Sequence, residues 1–361
     1  APATEQTREA YMAALFAEIG GRAKDYSDRT VTSIFIGGGT PSLLSGEQIG
    51  QLMDRIREQF AMAQDAEITM EVNPGTASAE KLRNFYTAGI NRLSIGMQSA
   101  QAEELKNLGR IHDFEGFCQV YREAVEAGFT NINVDIMSGL PGQTLASYRD
   151  TLEKVLHLEP MPQHISAYSL IVEEGTPFAA MAERGELPLP EEETERAMYE
   201  ETIEVLAKYG FHRYEISNYA RDGYECRHNV GYWIRRDYLG FGIGAASLID
   251  NVRFQNEKSL GAYLAHPLES REEEQTLTVQ DRMEETMFLG LRLTRGVSCV
   301  DFAEQYGRTV EEVYGEVIAR NVADGLLTVT ERKENQKKDR FLALTKRGLD
   351  LSNYVMAQFL F

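Results

Sequence analysis

The sequence predicts an α/β protein whose parallel strands form either a doubly wound sheet or a barrel. Five short apolar runs alternate with amphipathic stretches of helical period in the first half of the chain. The starts of successive runs lie 36, 25, 39 and 33 residues apart, so each interval has room for one helix and two loops. Parallel strands require a crossover of this kind. In both architectures ligands bind at the carboxyl ends of the strands.

The predicted strands and helices follow one another in strict alternation. The strands cover residues 31–36, 67–72, 92–97, 131–137 and 164–172. The helices cover residues 45–60, 78–89, 113–128, 144–158 and 191–211. Ser45 and Gln48 have the spacing of a capping box, and Gly89 and Gly128 are typical of helix ends. One apolar face of the third helix carries Phe117, Val120, Tyr121, Ala124 and Val125.

The alternation stops at about residue 191, and the rest of the chain has a different pattern. Residues 239–247 are rich in glycine, whereas residues 251–275 are polar and irregular and predict a linker. Helices are predicted over 284–293, 299–307 and 309–325, followed by a hairpin over 326–345, an order similar to a winged helix. The sequence therefore predicts three parts, with boundaries 1–225, 226–275 and 276–361.

Composition indicates a globular protein of the cytoplasm. The 361 residues are 43% apolar. The sequence contains no uninterrupted apolar run of about 18 residues, so no membrane span is predicted. The three cysteines, Cys118, Cys226 and Cys299, are odd in number and far apart, which favours a reducing compartment. The net charge of −19 would repel nucleic acid. A regulator that binds DNA through residues 276–361 is disfavoured as well, because that part has 12 basic and 13 acidic residues.

Polar residues follow the predicted strands where a ligand would bind. Three glycines, 37–39, follow the first strand. Glu71, Gln98 and Asp135 stand at the ends of the second, third and fourth strands, and Arg110 lies on the loop after the third. Glu71 could accept hydrogen bonds from a ribose, Arg110 could bind a carboxylate, and glycine carbonyls could accept from an ammonium group. These demands fit an amino acid joined to a nucleoside. Taken one at a time, each of these residues is more typical of a surface ion pair or a helix cap than of a ligand-binding site.

Six segments resemble the heme chaperone branch of the radical S-adenosylmethionine superfamily, which is close to oxygen-independent coproporphyrinogen III oxidase. They are IFIGGGTPSLLS, EITMEVNPGT, GINRLSIGMQS, LGRIH, NVDIMSGLPGQT and CRHNVGYW. The resemblance covers nearly the whole chain. It implies an incomplete parallel (β/α)6 barrel followed by a small helical, winged-helix-like C-terminal domain.

The resemblance also implies which residues bind S-adenosylmethionine. The amino group and neighbouring atoms would meet Gly38, Gly39 and Thr40, and the ribose would meet Glu71. The remaining implied contacts are Gln98, Arg110 and Asp135, with a backbone contact at Ser169.

The chain departs from the family at its start. Relatives begin their barrel with a strand and a loop in which three cysteines, spaced C-x3-C-x2-C, hold a [4Fe-4S] cluster; neither precedes residue 31 here. Either the sequence is part of a longer protein, which a start at Ala1 without methionine favours, or the protein lacks the cluster. In both cases we expect an exposed sheet edge beside the cofactor site.

The segment ECRHNVGYW, residues 225–233, holds the one tryptophan of the chain. By itself it favours a histidine in the core and packed aromatic rings. The resemblance implies instead that His228 ligates heme iron and that Trp233 contacts the macrocycle. Further aromatic surface would come from Phe211, Tyr214, Tyr219 and Tyr232, and propionates would meet Arg227, Arg235 and Arg236.

The resemblance thus implies a heme chaperone that transfers heme to acceptor hemoproteins such as respiratory enzymes, membrane-associated acceptors among them. S-adenosylmethionine and the cluster would support this role. The alternative is an enzyme that oxidatively decarboxylates coproporphyrinogen III. The sequence leaves open whether the protein is an enzyme and whether it is a monomer or a homodimer.

Overall fold

The computed structural model describes residues 4–269, 271–334 and 337–360, which form two compact units. The barrel unit comprises Thr30–Arg213 and Ser217–Glu225. The C-terminal unit comprises the described parts of Ala1–Arg29, Tyr214–Ile216 and Cys226–Phe361. No helix in the described ranges is long and apolar enough to cross a membrane.

The barrel unit is built on one seven-stranded sheet with the order β1-β2-β3-β4-β5-β7-β6. Its parallel strands are β1 (Thr30–Ile36), β2 (Ala61–Val72), β3 (Arg92–Gln98), β4 (Ile132–Ser138) and β5 (His164–Ser169). Two short antiparallel strands, β6 (His212–Arg213) and β7 (Asn218–Ala220), extend the sheet beyond β5. The five predicted strands and the incomplete barrel are therefore confirmed. The edge strand β1 is half-exposed along most of its length, whereas every residue of β3 is buried.

Seven helices accompany the strands, five of them at the predicted places; α4 and α7 were not predicted. They are α2 (Gly46–Gln59), α3 (Ala79–Thr87), α4 (Ala102–Asn107), α5 (Phe114–Ala127), α6 (Leu145–Leu156), α7 (Pro177–Glu183) and α8 (Glu192–Lys208). The capping box of Ser45 and Gln48 is formed, and Gly128 ends α5 with a φ of 110°. The apolar face of α5 is buried against the sheet, as its spacing predicts.

The C-terminal unit has its own core. Its helices are α1 (Glu5–Arg22), α9 (Arg227–Trp233), α10 (Leu260–Ala265), α11 (Val279–Gly290), α12 (Cys299–Tyr306), α13 (Val310–Ala323), α14 (Lys346–Asp350) and α15 (Ser352–Ala357). Its strands are β8 (Ala246–Ile249), β9 (Val252–Asn256), β10 (Arg271–Thr276), β11 (Val297–Ser298), β12 (Leu327–Glu334) and β13 (Lys337–Leu344). The three predicted helices and the hairpin are confirmed as α11, α12, α13 and β12–β13; the tip of the hairpin, residues 335–336, lies outside the described residues.

The predicted irregular linker over 251–275 is wrong. This stretch contributes β9, α10 and β10, and β9 is the central strand of an antiparallel sheet with the order β10-β9-β8. Phe254 and Tyr263 are almost completely buried. The polar composition is misleading because Asn256 is buried too, where it donates to Glu18 Oε1 at 2.7 Å.

Candidate functional site

The glycine turn after β1 exposes its backbone at the carboxyl edge of the sheet. Gly38 and Gly39 have φ values of 83° and 64°, a region that favours glycine. A Cβ atom at either position would meet nothing within 4 Å, so there is open space beside both glycines. Gly37 differs, because a Cβ there would lie 2.7 Å from the Phe35 side chain and 3.1 Å from Glu71 Cδ. The turn therefore lies directly against Glu71.

Glu71, near the end of β2, is hydrogen-bonded to this turn. Its Oε2 accepts from the Gly38 N–H group at 3.1 Å. Burial is the main cause that raises the pKa of Glu71, and the negative charge of Asp135 raises it further, while the Gly38 hydrogen bond opposes both. The structure thus brings the glycine turn, Glu71 and Asp135 into one electrostatic environment.

The prediction that Asp135 ends a strand is wrong: it lies in the middle of β4, where polar side chains of β3 and β4 hold it. Asn133 Nδ2 donates to Asp135 Oδ1 at 2.8 Å, and Ser94 Oγ donates to Oδ2 at 3.2 Å. His164 and Ser166 bond to Asn133 Oδ1 at 2.6 and 3.1 Å. Burial raises the pKa of Asp135, and these side-chain hydrogen bonds oppose the rise. Because Asp135 is fixed in this way, its carboxylate is oriented before any ligand binds.

Arg110 lies in the turn after α4, where its N–H group donates to Leu105 O at 2.9 Å. Burial lowers the pKa of Arg110, and the charge of Asp135 is the opposing cause. The guanidinium forms no ion pair within the described ranges. It is therefore a half-buried cation that can bind a ligand carboxylate.

The other predicted site residues also lie at this edge of the sheet. Gln98 ends β3 with a φ of 69°, a strained conformation for a residue other than glycine, and it is buried. Its Nε2 would lie 2.9 Å from a Cβ at Gly96, so the side chain folds back over that glycine. Thr40 begins a 3₁₀ turn after β1, and Ser169 ends β5 with its Oγ 3.2 Å from Ser138 Oγ. No contact links Ser169 directly to Glu71 or Arg110.

Ser42 is a positioning residue that sequence reasoning missed. It is completely buried, and its Oγ accepts from the Asn73 N–H group at 3.0 Å and lies 2.6 Å from Thr76 Oγ1. It thereby joins the loop after β1 to the loop after β2. Its signal in the sequence is weak, because a serine after a glycine turn is common in loops.

The second predicted site lies on α9, in the C-terminal unit. His228 Nε2 lies 3.0 Å from Tyr232 Oη, and the two rings meet edge to face with centroids 4.9 Å apart. Tyr232 makes a similar contact with Tyr238, at 4.7 Å. Burial raises the pKa of Tyr232 to about 12, so its hydroxyl keeps its proton at neutral pH. The imidazole of His228 is therefore oriented by a phenol one helical turn away.

Some residues predicted around His228 have other roles. Phe211 and Tyr219 belong to the core of the barrel unit, so they offer no surface to a macrocycle. Tyr214 is buried, and its Oη accepts from the Cys226 N–H group at 3.3 Å. Arg235 is committed to a buried ion pair with Glu285 at 2.7 Å. Arg227 and Arg236 are exposed.

The cysteines do not fit a [4Fe-4S] cluster. Cys118 belongs to the barrel unit, whereas Cys226 and Cys299 belong to the C-terminal unit. Burial raises the pKa of Cys118, and it raises that of Cys299 to about 11, which disfavours the thiolates that ligate iron. Within residues 4–269, 271–334 and 337–360, no group of three or more His, Cys, Asp or Glu side chains could hold a metal ion.

Comparisons with known proteins agree with this architecture. The family described as the radical SAM superfamily matches residues 3–155, and the HemN C-terminal domain matches residues 277–351. The solved structure of coproporphyrinogen III oxidase (HemN) from Escherichia coli, a radical SAM enzyme, has a TM-score of 0.82 and 26% identity, over 99% of this chain and 84% of that one.

Sequence relatives are more specific. The heme chaperone HemW of Bacillus subtilis is 38% identical over 98% of this chain and 92% of its own length. The heme chaperone HemW of Lactococcus lactis is 35% identical over 99% of this chain and 91% of its own length. The chain therefore belongs to the heme chaperone HemW family of the radical SAM superfamily.

Proposed function

We propose that this protein is a heme chaperone that binds heme through His228 and passes it to acceptor hemoproteins. The identity to heme chaperones over nearly the whole chain supports the proposal, and one observation of the structure carries it. His228 lies on the short helix α9 with its ring hydrogen-bonded to Tyr232 at 3.0 Å. A hydrogen bond fixes the ring orientation of a metal-binding histidine when it is made by the nitrogen that does not bind the metal, so with Nε2 bonded to Tyr232 the iron would bind Nδ1.

The carboxyl edge of the barrel sheet would hold S-adenosylmethionine. Glu71 accepts hydrogen bonds from the ribose hydroxyls, the Gly38–Gly39 backbone and Thr40 meet the ammonium end, and Arg110 binds the carboxylate. Gln98, Asp135 and Ser169 complete the site. Two observations support this assignment: there is open space beside the two glycines, and the half-buried guanidinium of Arg110 forms no ion pair with any residue that the structure describes. Because the described cysteines do not fit a cluster, the proposal includes no radical step.

The heme proposal is tested by replacing His228 with alanine. We expect the Soret band of heme-loaded protein to shift and the heme affinity to fall at least about tenfold, because an axial ligand is lost. His266→Ala is the matched control, since His266 is an exposed histidine of the same unit. An unchanged spectrum and affinity in His228→Ala would contradict the proposal.

Transfer is tested with heme-loaded protein and an apo-hemoprotein, a respiratory enzyme being the first choice of acceptor. We expect the acceptor to gain heme from the chaperone and His228→Ala to supply less.

Three cysteines that form no disulfide are consistent with a reducing compartment such as the cytoplasm.

The second candidate function is oxidative decarboxylation of coproporphyrinogen III. It is favoured by the similarity to the Escherichia coli oxidase, whose fold matches with a TM-score of 0.82. Anaerobic incubation of the protein with coproporphyrinogen III distinguishes the two functions. Formation of protoporphyrinogen would establish the enzyme, whereas heme transfer without it would establish the chaperone.

A further inference from the structure

We propose that Arg292 and Trp233 together bind a propionate of heme. This inference rests on the proposed function, because it names the groups that would recognise the carboxylates of the same ligand. The residues predicted from the sequence for this role were Arg227, Arg235 and Arg236, and Arg292 was not among them.

Arg292 and Trp233 form a stacked pair in the C-terminal unit. Trp233 ends α9, and Arg292 lies just beyond the end of α11, with its guanidinium carbon 4.3 Å from the centre of the indole ring. A cation over the face of an indole is a favourable arrangement. Both side chains are half-buried, so water is partly excluded from the pair.

A buried ion pair fixes α9 against α11 at a second point. Arg235 Nε and Arg253 Nη1 each lie 2.7 Å from a different oxygen of Glu285, on α11. The side chains of Arg235 and Glu285 are only 4% and 6% exposed. Arg235 therefore cannot bind a propionate without leaving Glu285 with a buried charge that is only partly neutralised.

The stacked pair offers two donors that lack acceptors. Trp233 Nε1 and Arg292 Nε are buried nitrogen atoms, and neither has a hydrogen-bond partner in the part of the chain that the structure describes. Buried N–H groups without a partner are rare in folded proteins, and a bound ligand is one of the explanations for them. Two such donors on neighbouring groups indicate an acceptor that the ligand supplies.

The positive charge of Arg292 selects the chemistry of that acceptor. A carboxylate has two oxygen atoms that can accept from both donors, and its charge matches the guanidinium. The chain as a whole carries a net charge of −19, which repels an anionic ligand. A fixed cation beside the histidine helix offsets that repulsion locally. Heme combines a propionate carboxylate with a flat apolar ring, and both match this pair.

The test compares heme with heme dimethyl ester, in which both propionates are esterified. Because Trp233 is the only tryptophan, the quenching of its fluorescence reports that heme is bound within energy-transfer range of the pair, and the Soret band reports ligation of the iron. We expect wild-type protein to bind heme about tenfold more tightly than the ester. In Arg292→Gln we expect this ratio to fall to about one, and in Arg292→Lys to lie between the two values.

The ratio is measured within each variant, so a general loosening of the fold lowers both affinities and leaves the ratio unchanged. Arg308→Gln, at an exposed arginine of the same unit, is the control and should keep the wild-type ratio. If Arg292→Gln keeps the wild-type ratio, or loses affinity for both ligands equally, Arg292 has only a packing role and the inference is wrong. If wild-type protein binds neither ligand, the proposed function fails as well, and that result is seen before any variant is compared.

Discussion

Glu71 and Asp135 are two carboxylates that the barrel holds in an unfavourable environment. Burial is the first cause of the raised pKa in both, and at Glu71 the negative charge of Asp135 raises the pKa further. Groups with perturbed pKa values cluster at the functional sites of proteins. The ammonium and sulfonium groups of S-adenosylmethionine would relieve this repulsion, so we expect binding to be linked to pH and to stability.

Glu71→Gln should weaken S-adenosylmethionine binding and stabilise the free protein at neutral pH. The raised pKa means that the folded state binds a proton more tightly than the unfolded state, so the contribution of Glu71 to stability is lost as the pH rises through that pKa. Glutamine carries no charge at any pH, so the Glu71→Gln variant does not lose this stability as the pH rises. We expect a higher melting temperature than wild type at pH 8 but not at pH 4, and an affinity lower by about tenfold in calorimetry.

The pH dependence of binding provides a second measurement on the same variant. As the pH is lowered, the affinity of the wild-type protein for S-adenosylmethionine should begin to fall already above the ordinary pKa range of a glutamate. The raised pKa of Glu71 means that this carboxylate becomes protonated there. Glu71→Gln should lack this part of the pH profile. Glu103→Gln is a suitable control, because the Glu103 side chain is 81% exposed. An identical pH profile in wild type and Glu71→Gln would show that Glu71 does not contact the ligand.

The sequence predicts residues at the carboxyl edge of the sheet better than the residues that orient them. Glu71 and Gln98 could be identified because the carboxyl ends of parallel strands meet at one edge, whereas Asp135 lies in the middle of β4. Asn133 and Ser94 could not, because they lie inside strands whose neighbours are apolar and their partners come from other strands. Arg292 was missed for a similar reason, since only the packing of α9 against α11 brings it to Trp233.

At the scale of elements, the short helix α4 depends on one buried carboxylate. Glu104 is 5% exposed and accepts three side-chain hydrogen bonds: from Ser99 Oγ at 2.6 Å, from Gln143 Nε2 at 2.9 Å and from Ser147 Oγ at 2.6 Å. These partners come from the end of β3, the loop after β4 and the start of α6. Glu104 therefore fixes α4, and with it the turn that carries Arg110.

Glu104→Ala should destabilise the protein by about 1–3 kcal/mol, because it leaves buried donors without an acceptor. It should also weaken S-adenosylmethionine binding, since Arg110 lies in the turn that ends α4. Chemical denaturation measures the first effect and calorimetry the second. Glu103→Ala, one residue earlier on the exposed face of the same helix, should change neither quantity. A wild-type midpoint for Glu104→Ala would refute the structural role.

The elements that the sequence predicts well are those whose pattern is local. Helix α5 and strands β1–β5 follow from period and capping alone. The strands β9 and β10 were missed because β10 is largely exposed and charged, and β9 buries a polar residue, Asn256. Strand β9 pairs with both β8 and β10, and its Asn256 bonds to Glu18 and Arg22 of α1; no local pattern contains these contacts.

At the scale of the whole molecule, the C-terminal unit is assembled from segments that are far apart in the sequence. Helix α1 packs in this unit through Glu18, whose carboxylate is completely buried. It pairs with Arg22 at 2.8 Å and accepts from Tyr263 Oη at 2.7 Å and from the Gly242 N–H group at 2.8 Å. Arg22 also donates to Asn256 Oδ1 at 2.9 Å. The network thus joins the first helix to the glycine-rich loop and to the sheet that follows it.

Replacing Glu18 with alanine should therefore destabilise the C-terminal unit as a whole. The change leaves Arg22, which is 4% exposed, as a buried cation without its carboxylate, and such losses cost about 3–5 kcal/mol. Because α1 and residues 242–263 share the network, we expect both to become accessible to hydrogen exchange together, while β3 and β4 of the barrel unit stay protected. Glu9→Ala, on the exposed face of α1, is the control. If only α1 lost protection in Glu18→Ala, the helix would be a peripheral addition and would not be part of the cooperative core of that unit.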